Sequence, residues 1–183
     1  PKIFERLLYS FEAKRKIGKL LDDFKPDIVH IHNIYYHISP SILVEINKRK
    51  IPVVCTVHDY FLLSPNVNLF HNNSVCNIAK SKSILKMTLH RCISDSYLES
   101  FGASFVWKIH KILKIYDKYI DLFLAPSKFM RKKLIEYGIE EKKIKVLPLF
   151  TDINTQDLRK KESDYVLYFG KIYTHKGVQV ILD

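Results

Sequence analysis

Residues 53–60 read Val53-Val54-Cys55-Thr56-Val57-His58-Asp59-Tyr60, with Pro52 just before them. The spacing predicts a strand over Val53–Val57 that ends in His58-Asp59. Upstream, Asp27 to His32 (DIVHIH) reads as an earlier strand with apolar residues on both faces, which suits a buried parallel sheet. A helix is expected from the N-cap Ser10, with Ala13, Ile17, Leu20, Leu21 and Phe24 on one face and Pro26 as its stop. Ser39-Pro40 opens another helix, running to about Lys48. Downstream, Asp121–Ala125 is a third strand, Pro126-Ser127 opens a helix to about Tyr137 with Gly138 as C-cap, and Ile144–Leu147 is a fourth strand. Strands alternating with helices at this interval predict an α/β fold, a Rossmann-like doubly wound parallel sheet.

Between the second and third strands the rhythm breaks. Tyr60 to about Ala79 has little periodicity and several turn formers, and a loop of this length is functional or mobile. A short helix and a longer one, about Ser104–Tyr119, follow. On the longer one Phe105, Ile109, Ile112, Leu113, Tyr116 and Tyr119 form a stripe, opposite Lys108, Lys111, Lys114 and Lys118 with Trp107 among them. The plain reading is a sheet-covering helix with a solvated face. The sharper one is docking on an anionic membrane surface through Trp107, Lys111, Lys114 and Lys118. Residues 151–164 are polar and read as a linker, and Tyr165–Phe169 (YVLYF) reads as the first strand of a second α/β domain. The expected organisation is a partial first domain over 1–150, a linker over 151–164 and the start of a second domain over 165–183.

The chain has 183 residues, 47 % of them hydrophobic and 27 % charged, which excludes global disorder. The formal charge of +11 favours phosphate-bearing partners without naming one. Three cysteines and no signal peptide fit a reducing compartment. No apolar run approaches the roughly 20 residues that span a bilayer. The chain starts at Pro1 and stops at Asp183 inside an apolar pattern, and both ends read as cuts.

Four groups of residues can carry chemistry. His58 stands at the carboxyl end of a parallel strand, where open α/β sheets bind ligands, although a single histidine is often structural. Gly170-Lys171-Ile172-Tyr173-Thr174-His175-Lys176-Gly177 joins a strand to a helix start and can cradle a diphosphate. Its glycine spacing is not that of a Walker A loop, and the plain alternative is two solvated lysines beside a turn. His30 and His32 share one side of a strand. His32 and Asn33 can line a cleft, whereas His30 is expected to be internal, and no third ligand sits near enough in sequence to expect a metal. His71, Cys76, His90 and Cys92 are zinc-capable types around the long loop, but their spacing fits no strong zinc pattern, so reduced thiols packed under a loop are expected and no metal.

The runs Pro26–Asn33, Val57–Asn66 (VHDYFLLSPN), Asp121–Leu134 (DLFLAPSKFMRKKL), Lys145–Pro148 (KVLP) and Tyr168–Lys171 with Lys176-Gly177 occur in an order that resembles the retaining GT-B glycosyltransferases of the family-four type, within the glycogen-synthase-like superfamily. The resemblance implies two Rossmann-like domains, a nucleotide-sugar donor held by the second, a glycan or lipid-linked glycan acceptor against the first, and retention of configuration without a metal. No cofactor is implied, because the nucleotide sugar is a substrate. It implies that His58 is the catalytic histidine, that Gly170, Lys171 and Lys176 hold the donor diphosphate, and that His32, Asn33 and Asp59 face the acceptor-side cleft. Lys171 stands where relatives usually carry arginine, which removes a bidentate fork. Leu149 replaces an asparagine common in relatives, and Ala79 occupies a place where a cysteine is expected. The glycine-rich loop that should precede Pro1 and the paired glutamates that should follow Asp183 are absent, so these residues alone are not expected to catalyse transfer. The expected role is cell-surface polysaccharide synthesis in the cytoplasm, peripheral on the inner face of the membrane. The rival classes are a non-catalytic basic module that binds anionic lipid or nucleic acid, and a nucleotide-sugar epimerase of the same shape. Nucleic acid is disfavoured by the lack of a recognition motif.

Overall fold

A computed structural model describes residues 6–35, 38–93, 95–151, 165 and 167–182. Its central feature is a four-stranded parallel sheet of β1 (Val29–His32), β2 (Val53–Thr56), β5 (Leu122–Ala125) and β6 (Ile144–Val146), in that spatial order. The register places Ile31, Cys55, Phe123 and Ile144 side by side, one residue per strand. All four are buried, so this row is the spine of the main core. Successive side chains of a strand point to opposite faces. The neighbouring row of His32, Thr56, Leu124 and Lys145 therefore faces the other way, and of these only Thr56 is buried. The α/β fold with a parallel Rossmann-like sheet is as expected. Burial of β1 on both faces is not. Only Ile31 of β1 is buried, and both His30 and His32 are exposed.

Two helices lead into the sheet. Helix α1 (Phe11–Phe24) starts where its sequence says, with the Ser10 side chain accepting from the Ala13 N–H. Helix α2 (Ser41–Lys48) packs beside it. Their first turns are tied by buried serines: the Ser10 N–H donates to Ser39 Oγ at 2.9 Å, and the Ser41 hydroxyl donates to the Ser10 carbonyl at 2.8 Å. Buried polar groups persist only when paired, and here each closes on the other. At the far ends, Arg49 forks onto both carboxylate oxygens of Asp22 and onto Glu45. The Arg49 guanidinium holds the Asp22 carboxyl below its usual range; Lys48 and then Arg49 do the same for Glu45. The expected apolar face of α1 is only partly used: Leu21 is buried, while Leu20 and Phe24 are exposed.

After β5, helix α6 (Lys128–Glu136) is capped by Ser127 and covers β5 and β6. Gly138, at φ 94, lets the chain turn back so that the Ile139 N–H reaches the Leu134 carbonyl.

The stretch after β2 is a folded excursion. It holds a hairpin of β3 (Phe70–His71) and β4 (Ser74–Val75), a 3₁₀ turn (Ile78–Ser81), helix α3 (Ile84–Leu89) and helix α4 (Tyr97–Ile112). Asn72 and Asn73, both in the left-handed region, form the two-residue hairpin turn. Lys114, at φ 50, breaks the expected continuous helix, and α5 (Ile115–Tyr119) follows. The break rotates Ile115 and Tyr116 into the main core while Ile112 and Leu113 stay exposed.

The break also bears on the membrane-docking reading. Trp107 is 4 % exposed and packs on Cys76, Ala79, Met87 and Cys92, so it has no surface to give a lipid interface. Helical spacing places its indole in line with Lys111 and Lys114 on the outer face. In three dimensions the excursion folds over it. Lys111 and Lys114 line a cavity of about 480 Å³ with Lys80, Lys82 and Lys108, and Lys118 is exposed. Among the described residues, no helix is long and apolar enough to cross a membrane.

Among the described residues, Tyr165 and residues 167–169 form no strand, and Leu167 and Phe169 are exposed. The expected linker falls, apart from Thr151, outside the described residues. The chain then makes a 3₁₀ turn (Thr174–Lys176) and a short helix, α7 (Val178–Leu182).

Candidate active site

The carboxyl ends of β1 and β2 bring two histidines together. His32 is the last residue of β1, its register partner is Thr56, and His58 lies two residues beyond Thr56. His32 Nδ1 and His58 Nε2 are 2.7 Å apart and the rings stack at 5.0 Å. Behind them, His30 Nε2 lies 2.8 Å from Thr56 Oγ1, and the His30 and His32 rings are 4.3 Å apart. The internal His30 expected from the sequence is instead an exposed member of this row.

One nitrogen of a hydrogen-bonded imidazole pair carries the proton and the other accepts it. Burial, helped by the charges of His30 and His58, pushes the His32 pKa down.

Asp59 begins the excursion. Its Oδ1 accepts from the Phe61 N–H at 2.9 Å, an Asx turn that swings the chain away from the sheet. Burial raises its pKa, and the Phe61 N–H and the His58 charge pull the other way. Inside the turn, Tyr35, Phe61 and Tyr116 form an aromatic cluster, with Tyr35 and Phe61 stacked at 4.0 Å.

His58 and Asp59 open onto a cavity of about 380 Å³ whose wall includes Asn68, Phe129, Lys133 and Lys176. A second cavity, of about 610 Å³, is lined by Gly170, Lys171 and Lys176 with Tyr168, Tyr173 and Asn68. Asn68 and Lys176 border both cavities, so the two adjoin at these side chains. The turn is shaped by Gly170 at φ 152, where a Cβ would come within 3.1 Å of the Tyr168 hydroxyl; that hydroxyl donates to the Lys171 carbonyl at 2.9 Å. The helix start expected at Lys176 lies later, at Val178.

The family model for Glycosyltransferase Family 4 matches residues 1–155. The chain belongs to this family. It is 30 % identical over 131 residues to an uncharacterized 42.6 kDa protein in the cps region of Klebsiella pneumoniae, covering 72 % of this chain and 29 % of that protein. The chain thus spans under a third of the length of that curated relative. No solved structure matches.

Set against the family resemblance, the geometry groups the expected residues unequally. His58, Asp59, Gly170, Lys171 and Lys176 border the adjoining cavities. His32 reaches them through His58. Asn33 is exposed, in the left-handed region at φ 43, and lines neither. Sequence reasoning missed Lys133, Phe129 and Asn68. Phe129 and Lys133 are four apart on α6, with Lys133 Nζ 5.6 Å from the Phe129 ring centroid and 3.0 Å from a Glu136 carboxylate oxygen. An apolar residue at exposed helical spacing from a lysine was the available signal.

Proposed function

We propose that this chain is part of a glycosyltransferase that moves a hexosyl group from a nucleotide sugar to a glycan or lipid-linked glycan, with retention of configuration, in the synthesis of a surface polysaccharide. Membership of glycosyltransferase family 4 supports transfer chemistry, and the capsule-region relative supports the polysaccharide setting. The single observation that carries the reading is that Lys176, from the lysine turn, lines the same cavity as His58.

In sugar transfer, negative charge grows on the departing diphosphate as the glycosidic bond lengthens. Lys171 and Lys176 supply fixed positive charge where that diphosphate is expected, and a preorganised contact of this kind is worth about 3–4 kcal/mol in the transition state. His58, hydrogen-bonded to His32, faces the cavity where the transferred sugar is expected. Asp59 fixes the turn that presents it.

The test uses the full-length protein that carries this segment. His58→Ala and Lys176→Ala are each expected to lower kcat by about 100-fold or more, while His32→Ala lowers it less, since it acts through His58. Product retaining the donor's anomeric configuration is expected by NMR. Unchanged turnover in both His58→Ala and Lys176→Ala, or an inverted product, overturns the reading.

A further inference from the structure

The excursion after β2 gathers three zinc-capable side chains that the family reading does not use. Cys76 follows β4. His90 ends α3, and Cys92 lies in the next turn. Arg91 between them sits in the left-handed region at φ 47, which turns His90 and Cys92 toward the same point. The ligand atoms of Cys76, His90 and Cys92 all lie within 4.8 Å of one another.

The spacing matches a tetrahedral ion. With Zn–S near 2.3 Å and Zn–N near 2.0 Å, two ligand atoms on one edge lie about 3.6 Å apart. Cys92 Sγ and His90 Nδ1 are 3.6 Å apart. Two buried cysteines and an exposed histidine leave one side open to solvent. His71 stands at that side, its ring 4.8 Å from the His90 ring and its Nε2 4.0 Å from Asp95. Cys76, His90 and Cys92 supply three of the four positions of a tetrahedral zinc, and the open side leaves the fourth to a water.

We propose that Cys76, His90 and Cys92 bind a zinc-class ion that staples the excursion. Thiolate and imidazole together select zinc over magnesium or calcium. The staple has something to hold. Among the described residues, the buried part of the second core beneath it is Cys76, Ala79, Met87, Cys92 and Trp107, with Ile78 and Tyr137 packed against it. Such a small core is where natural domains add a metal or a disulfide. Binding would also fix one wall of the His58 cavity, since Val75 and Asn77 flank Cys76 and both line it. The proposal does not rest on the transferase reading.

The test is metal content. The chain is produced with zinc present, desalted and measured by mass spectrometry. About one zinc per chain is expected, with release of that zinc when a mercurial titrates the thiols. In His90→Ala, whose side chain is exposed and whose loss spares the fold, retained zinc should fall about tenfold or more. Cys92→Ser should fall likewise, and Cys55→Ala, in the other core, should keep its zinc. Cobalt in place of zinc should give thiolate charge-transfer bands in the wild type and not in Cys92→Ser. A wild-type chain that retains no zinc, a Cys76–Cys92 disulfide in the reduced preparation, or zinc retained in full by His90→Ala overturns the proposal.

Discussion

The sheet and the excursion of residues 60–96 make their cores by different means. The sheet stacks Ile31, Cys55, Phe123 and Ile144 in one register row and covers them with Leu43, Ile46, Val57 and Leu134, each 0 % exposed. Regular hydrogen-bond ladders free its side chains to be wholly apolar. The excursion has few ladder bonds and a small core, and it relies on directed polar contacts. Asn66 Nδ2 donates to the carbonyls of Phe70 and Cys92, at 3.0 and 3.1 Å, and joins the hairpin to the turn that bears Cys92. The Asn68 N–H donates to Asn66 Oδ1 at 3.1 Å. A large core tolerates the loss of any one polar bond, whereas a small one depends on each.

The contrast can be broken from the sheet side first. Phe123→Ala empties the middle of the register row and is expected to cost about 3–5 kcal/mol, read as a lower urea midpoint for the whole chain. A loss below about 1 kcal/mol would mean that the row is not the spine of the core. Asn66→Ala is expected to cost about 1–3 kcal/mol, because it removes the buried amide that bridges the Phe70 and Cys92 carbonyls. Hydrogen exchange should rise in the hairpin and around Cys92, with the amides of β2 and β5 unchanged. Equal acceleration in both regions would show one cooperative unit instead of two.

The smallest effect lies at the junction. Burial raises the folded-state pKa of Asp59 above its ordinary value. The stability linked to that shift is present below the ordinary carboxylate value and is lost as pH rises through the raised one. Asp59→Asn keeps an Oδ1 for the Phe61 N–H and removes the ionisation. The variant is expected to gain thermal stability relative to wild type at neutral pH, with the gain vanishing in acid. A gain that persists unchanged in acid would remove the ionisation of Asp59 as its cause.

Much of the sheet was legible because it is written locally. Pro26, Pro52 and Gly138 mark boundaries, Ser10 and Ser127 cap helices, and four apolar runs recur at βαβ spacing. His58 was legible from its place at a strand's carboxyl end. Trp107 was not: at helical spacing it falls in line with Lys111, Lys114 and Lys118, while in space it packs on Cys76, Ala79, Met87 and Cys92. The break at Lys114 was likewise hidden, because the apolar stripe continues through it and only the pull of Ile115 and Tyr116 into the main core bends the chain.

Sequence by itself determined the fold class, the strand positions and the family, since periodicity, caps and motif order are properties of neighbouring residues. Tertiary structure decided which face of β1 is open, that His32 grips His58, and that Cys76, His90 and Cys92 converge. Those facts depend on register between strands and on the path of a long loop. Such pairings are set by burial and by contacts between distant residues, which no local pattern encodes.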